Sequence, residues 1–270
     1  MDLPEMVQRK ALRLEGYGDD EVRRLLRAGR LTPVRRGAYV LGTTPDSREA
    51  RHALAVRAEL AHLADGAVVS HASAAVLHGL PTWGIRLDRV HVTRARRSGG
   101  RCGRHVHVHT APLRPEDVGA VDGIPVTSVA RTVTDLARTI AFEPAVAVAD
   151  AALHAVLTEP ERLAALQAAL VAALAHCAGW RGSPDARRVL AFADARSGSV
   201  GDSRSRAGMG CTLRLRPDRR PAVDLPASLT RRTDLPALAH TAGRVCQVRS
   251  VCAGSRRRAR ATGLCARTQF

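Results

Sequence analysis

The amino-acid sequence predicts an α+β fold, and three observations lead there. Apolar residues recur at helical spacing in several windows between residues 19 and 195. Residues 89–93 and 105–109 alternate apolar and polar side chains as half-buried strands do. Two short strand-like runs, 118–121 and 124–126, are split by Asp122-Gly123, a strong hairpin signal. At 270 residues the chain is long enough for two domains and a substantial core.

The elements follow in order. Residues 17–40 read as a short basic helix, a glycine stop and a tight hairpin. Asp19 is placed to N-cap the helix, with Asp20 and Glu21 complementing its positive end. Val22, Leu25 and Leu26 form one apolar stripe, while Arg23, Arg27 and Arg30, at i, i+4 and i+7, form a separate basic one. Gly29 ends the helix. Leu31–Val34 and Ala38–Val40 pair around Arg35-Arg36-Gly37. Residues 42–47 read as a linker. A helix over 48–63 carries Ala53, Val56, Leu60 and Leu63 on one face. Val68-Val69-Ser70 leads into a helix over 72–77 that stops at His78-Gly79. The strand-like runs 89–93 and 105–109 are joined by a Gly/Arg loop at 96–104. After the 118–126 hairpin, Thr127 is placed to cap a helix over 128–139, and helices follow at about 143–156, 159–175 and 184–195. No internal repeat is present.

The formal charge of +17 is carried almost entirely by arginine, Lys10 being the only lysine. Such a surplus suggests a polyanionic partner, nucleic acid before membrane. It is unevenly spread: residues 206–270 hold 14 arginines against three aspartates and no glutamate. The case for DNA therefore rests on the local pattern at 17–40. A helix with one cationic face followed by a hairpin with a cationic tip suits a major groove and its flanking phosphates. The same pattern also describes a solvated helix face beside an ordinary hairpin. Asp2 and Glu5 stand where a signal peptide would have a basic start and an apolar run, and Ala168–Ala175, the longest apolar run, is too short to span a bilayer. Neither a secreted nor a membrane protein is expected.

The composition changes at about Arg206. No aromatic residue lies between Phe192 and Phe270, and four of the six cysteines (Cys211, Cys246, Cys252, Cys265) fall in this tail. A tail without large apolar groups cannot offset its ordering entropy, so low order is expected over 207–270. Three readings stand: a basic arm on nucleic acid, a zinc site, or an out-of-frame translation of a GC-rich gene. The zinc reading lacks the paired short cysteine spacings.

Within the body, His105, His107 and His109 are two apart, so a strand would put all three on one face. Three imidazoles on a face suit Zn²⁺ or Ni²⁺. With no carboxylate or cysteine partner evident, an exposed polar strand face is the simpler reading, and no metal ligand is assigned. His71 and His78 flank a short helix beside Ser70 and Ser73, where capping and core hydrogen bonds are expected, since no Gly-x-Ser-x-Gly elbow is present. Nucleotide-binding glycine loops are absent. Cys102 and Cys177 form no motif and fit a reducing cytoplasm.

Three blocks together resemble a known family: Gly-Tyr-Gly-Asp-Asp-Glu-Val-Arg-Arg-Leu-Leu-Arg-Ala-Gly-Arg-Leu-Thr-Pro-Val-Arg-Arg-Gly-Ala-Tyr-Val (16–40), Val-Val-Ser-His-Ala-Ser-Ala-Ala-Val-Leu-His-Gly-Leu-Pro (68–81) and Gly-Ile-Pro-Val-Thr-Ser-Val-Ala-Arg-Thr-Val-Thr-Asp-Leu-Ala (123–137). Their order over roughly residues 5–205 is similar to the actinobacterial branch of the AbiEi-type antitoxins of type IV toxin–antitoxin systems. The resemblance implies a winged helix-turn-helix over 1–42 and an α+β antitoxin body over 47–196. It implies that Arg23, Arg24, Arg27 and Arg30 on the helix and Arg35 and Arg36 on the wing bind double-stranded operator DNA. A cognate toxin is an implied partner, a cytoplasmic location is implied, and the oligomeric state is left open.

Many members of that branch continue into a domain similar to very-short-patch-repair endonucleases, entered through a run like Arg-Ser-Glu-Ser-Val-Gly-Glu-Ser-Arg-Ser-Arg. Residues 196–206 read Arg-Ser-Gly-Ser-Val-Gly-Asp-Ser-Arg-Ser-Arg, so 197–206 looks like a remnant of that entry with Asp202 in the place of a glutamate. Residues 207–270 contain no Glu and no Lys, so the Mg²⁺-binding set of such a nuclease cannot be completed. The expectation is a non-enzymatic DNA-binding regulator without a cofactor. A degenerate Mg²⁺-dependent endonuclease and a purely protein-binding body are the alternatives.

Overall fold

The computed structural model describes residues 5–60, 63, 66–96, 98–212 and 223. The chain divides into Met1–Arg232 and Thr233–Phe270, and the second unit lies outside the described residues. Among the described residues the fold is mixed α/β with two sheets.

The N-terminal part begins with β1 (Met6–Gln8), which runs directly into α1 (Arg9–Leu14). A turn through Gly16 at φ +89° leads to α2 (Asp19–Arg27). The hairpin of β2 (Leu31–Arg35) and β3 (Ala38–Leu41) follows, and β1 pairs with β3, giving the antiparallel order β1-β3-β2. Gly29 sits at φ +67°, just past α2, where a side chain would be strained. The N-cap of α2 is Gly18, one residue earlier than expected, because the Asp19 carboxylate is drawn to Arg9 and Arg13 of α1. Leu12, Val22, Leu31 and Tyr39 make a small core, with Leu25 and Leu26 packed against it.

After the linker comes α3 (Arg48–Leu60), then β4 (Ala67–Val69), α4 (His71–Leu77), β5 (Val90–Arg94), β6 (Arg101–Cys102) and β7 (Val106–Thr110). A 3₁₀ turn at Pro115–Asp117 precedes the hairpin of β8 (Val118–Val121) and β9 (Ile124–Thr127). These strands form one sheet in the order β6-β7-β5-β4-β9-β8. The hairpin turns at Asp122 and Gly123, both at positive φ (+49° and +75°), as a two-residue turn of this kind requires. The loop joining β5 and β7 holds β6, and β5 and β7 run parallel. Val69, Val90, Val92, Val108 and Val126 bury one sheet face against Ala55 and Val56 of α3 and Ala74 of α4.

The helical layer comprises α5 (Val129–Thr139), α6 (Phe142–His154), α7 (Pro160–His176), α8 (Ser183–Phe192) and α9 (Val200–Thr212). Ser128, not Thr127, caps α5: its hydroxyl accepts the Arg131 N–H at 3.4 Å, while Thr127 ends β9. Alanine-rich α6 is buried along most of its length, and Leu136, Leu153, Leu170, Leu174 and Leu190 knit the layer together. Gly182, at φ +81°, lets the start of α8 lie against the end of α5, because a Cβ there would meet the Arg138 carbonyl oxygen at 2.0 Å.

One buried ionic network spans this layer. Arg131 is fully buried, and it donates to Asp135 Oδ2 (2.8 Å), Asp117 Oδ2 (3.1 Å) and the Pro112 carbonyl (3.2 Å). Arg138 also donates to Asp135, at 3.0 Å, and both guanidinium groups lie about 5 Å from the Trp180 ring centroid. Burial opposes charge at Asp117, but Arg114 donates to it from the side chain and the backbone and holds its carboxyl below the ordinary range.

The expected boundary at 206/207 falls inside α9. Buried Asp150 of α6 accepts the Asp194 backbone N–H (2.7 Å), the Ser203 hydroxyl (2.7 Å) and the Arg206 guanidinium (2.5 Å). The 197–206 segment is thereby stitched onto the body. Of the tail expected to show low order, residues 207–212 continue α9, and the remainder except Val223 lies outside the described residues.

Candidate nucleic-acid interface

The packing of α2 decides which of its side chains meet solvent. Residues three and four apart share a helix face, so seating Val22, Leu25 and Leu26 on the N-terminal core turns the opposite face outward. Arg23, Arg24 and Arg27 are exposed there, and Arg30 is exposed just beyond the helix. Arg23 pairs with Asp20 at the surface (2.9 Å), and its carbonyl accepts a long hydrogen bond from Arg27 Nε (3.4 Å). Among the described residues, Arg24, Arg30 and Arg36 have no side-chain partner. Acidic Asp19, Asp20 and Glu21 occupy the first turn and Arg24 and Arg27 the last, so the charges also complement the helix dipole. The Arg9 guanidinium holds the Asp19 carboxyl below its ordinary value and ties α1 to α2.

Arg36 stands exposed at the hairpin turn, as expected. Arg35 does not stand beside it. Its Nε lies 3.3 Å from Glu59 Oε1 of α3, with both side chains largely buried, and its Nη1 lies 3.1 Å from His105 Nδ1. Arg35 thus joins the hairpin to the body instead of standing free beside Arg36 at the turn. The register of β2 against β3 shifts between Pro33 and Arg35, next to this contact. Beneath this joint lies a cleft of about 540 Å³ lined by Arg35, Arg48, Arg51, His52 and Asp88. Arg48 donates to the Ile85 carbonyl in the loop before β5, and Arg51 donates to the Pro45 carbonyl in the linker.

The expected row of His105, His107 and His109 is divided. His105 goes to Arg35, while His107 and His109 meet His91 of β5 and His71 of α4. His71 stacks on His109 (3.8 Å between centroids, 14° between planes), His109 stacks on His107 (3.9 Å), and His91 Nδ1 lies 3.0 Å from His109 Nε2. Burial, followed by the neighbouring imidazoles and arginines, pushes these groups down: His91 to about 4, His71 and His109 well below the ordinary value. The signal available in the sequence was the tripeptide Val-His-Val, which occurs at 90–92 and again at 106–108.

Ser70 and Ser73 are fully buried. Ser70 Oγ accepts the Thr93 hydroxyl (2.8 Å) and lies 3.0 Å from His71 Nδ1. Ser73 Oγ accepts the His91 backbone N–H and lies 2.8 Å from His52 Nε2. His78 Nε2 donates to the Thr127 carbonyl at 2.7 Å. The second resemblance block is therefore an interior hydrogen-bonding unit. Buried Cys177 has its thiol pushed up to about 11, chiefly by burial, which makes it a poor nucleophile.

No family model matches this chain, and no curated protein matches it. Among solved structures it is similar to the RV2827C protein from Mycobacterium tuberculosis, at 19% identity over 71% of this chain and 77% of that one, with a TM-score of 0.40. A likeness so loose carries neither a fold nor a functional inference. Among the described residues no helix is long and apolar enough to cross a membrane.

Proposed function

We propose that this chain is a DNA-binding regulator of the AbiEi-like antitoxin kind, which reads operator DNA through a winged helix-turn-helix formed by α1, α2 and the β2–β3 hairpin. The observation that carries the reading is the outward face of α2. Three exposed arginines, Arg23, Arg24 and Arg27, lie away from the stripe that seats the helix, Arg30 is exposed just past its end, and Arg36 stands at the neighbouring turn. In such a domain α2 enters the major groove, where an arginine can pair bidentately with guanine, and the hairpin reaches the flanking phosphates. Arg23, Arg24, Arg27 and Arg30 are the groove-facing candidates, Arg36 is the phosphate contact, and Arg35 holds the wing in place. The two inner resemblance blocks build the body that carries this domain, and a cognate toxin would dock on that body.

Nuclease chemistry is not part of the proposal. Asp202 accepts its own neighbour Ser199 (2.9 Å) in the first turn of α9, and Asp194 accepts the Arg196 N–H (3.0 Å). Each carboxylate accepts a hydrogen bond within its own turn, whereas metal-assisted phosphodiester cleavage needs carboxylates converging on one ion.

The test is binding to the DNA upstream of the protein's own gene, followed by fluorescence anisotropy across a salt series. Because the basic tail is common to all variants, differences between variants report on α2. Arg23→Ala and Arg27→Ala should cost about 1–3 kcal/mol where a base is read bidentately. Arg36→Ala should weaken all sequences alike and reduce the salt slope by about 1. Unchanged affinity in all three variants would refute the reading.

A further inference from the structure

The imidazole cluster of the body is built from residues other than the exposed arginines of α2 and the hairpin turn. β5 and β7 are parallel with His91 opposite His107 and Thr93 opposite His109, so residues 91, 107 and 109 share the sheet face that the valines leave free. The chain leaves β4 and enters α4 at His71, which has φ +51°, a left-handed conformation uncommon for a residue other than glycine. That backbone sets the His71 ring over His109. One nitrogen from each of His71, His91 and His109 lies within 4.8 Å of the others. With Zn–N bonds of 2.0–2.1 Å, tetrahedral ligands stand about 3.3 Å apart, so an ion would draw the three nitrogens together and turn the stacked His71 and His109 rings out of parallel.

We propose that His71, His91 and His109 form a binding site for a borderline divalent transition-metal ion of the Zn²⁺ class. Three chemical features support it. The ligands come from three separate elements, so the ion would clamp the start of α4 to β5 and β7. Ser70 Oγ beside His71 Nδ1 can accept its N–H, which leaves Nε2 free, and Thr93 holds Ser70 in turn. The cations that act on the cluster, Arg131, Arg138 and Arg89, are each paired with a carboxylate, Asp117, Asp135 or Asp88, which offsets part of their charge against an incoming dication. Neutral imidazoles without thiolate or carboxylate suit Zn²⁺, Ni²⁺ and Co²⁺ and discriminate against Mg²⁺ and Ca²⁺. Three protein ligands leave a fourth position for water or for His107, which stacks on His109.

The experiment uses the full chain, stripped with chelator and with its cysteines alkylated, because the tail's four cysteines would otherwise compete for metal. Equilibrium dialysis with Zn²⁺ alone should give one saturable equivalent, and a raised Tm, whereas Mg²⁺ should give neither. His91→Ala and His109→Gln should each abolish that equivalent, while His105→Ala should retain it. X-ray absorption on the cobalt-loaded wild-type chain counts ligands without relying on any variant, and three imidazole nitrogens are expected. No saturable equivalent, retention of it in His91→Ala, or fewer than three imidazoles would overturn the proposal.

Discussion

Two helices of this protein carry arginine for opposite ends. In α2 the guanidinium groups stand in solvent, and Arg24 has no side-chain partner among the described residues. In α5, Arg131 is fully buried between two carboxylates and an indole. The residue type is the same, and the neighbours decide. Arg131 has Asp135 at i+4 on its own helix, whereas Arg23 has Arg27 there. An arginine followed by an acid one turn later is equipped for burial, and one followed by another cation keeps its charge for an outside anion.

The sharpest test of this contrast is stability. Arg131→Ala should leave Asp117 and Asp135 partly unpaired in the interior and cost about 3–5 kcal/mol in chemical unfolding. Arg24→Ala should stay within about 0.5 kcal/mol. Equal costs would break the comparison.

Acid is the next lever. His91, His71 and His109 are held neutral by burial, with Arg131, Arg138 and Arg89 nearby also disfavouring the proton and Asp88 weakly favouring it. Their folded pKa values lie below the unfolded value of about 6.5, so the unfolded chain takes up protons first as pH falls. Stability is therefore complete above that pH and declines below it, down to about 4 for His91. Each imidazole adds a slope of up to about 1.4 kcal/mol per pH unit. In chelator, urea midpoints measured from pH 7.5 to 5 should fall steeply, and His91→Gln should flatten the curve.

Much of the frame was legible in advance. The apolar stripe of α2, the stop at Gly29, the Asp122-Gly123 turn, the valine face and the helices from 128 to 192 all rest on local spacing, and the structure places them within a few residues. What was not legible depends on partners far along the chain. β1 is three residues long and exists through pairing with residues 38–40. α9 has a Gly/Ser/Arg sequence of weak helical character and depends on Asp150, about fifty residues earlier. The His71–His91–His109 group required the parallel register of β5 and β7, which no short-range pattern announces.

Smaller effects sharpen the contrast further. Arg35→Ala, which removes a largely buried pair at the joint, should lower stability by about 1 kcal/mol. Arg36→Ala should leave stability unchanged in the same thermal scan. The smallest expected effect is none at all: supercoiled and linear DNA should remain intact with the full chain and Mg²⁺ or Mn²⁺, read on agarose gels. Cleavage lost in Asp202→Ala would show that α9 serves chemistry and not merely attachment.

The Arg35 contacts have a thermodynamic corollary. His105 immediately precedes β7, the strand that bears His107 and His109, and it meets a side chain of the hairpin that flanks α2. Arg35 thus connects the β2–β3 hairpin to the residue that leads into the strand bearing two of the clustered imidazoles. Binding energies joined through such a connection are reciprocal: whatever factor occupancy of the cluster imposes on affinity at α2, occupancy at α2 imposes on the cluster. On the two proposals above, metal at the cluster and DNA at α2 would be coupled through this contact, and Arg35→Ala should bring the coupling factor to one.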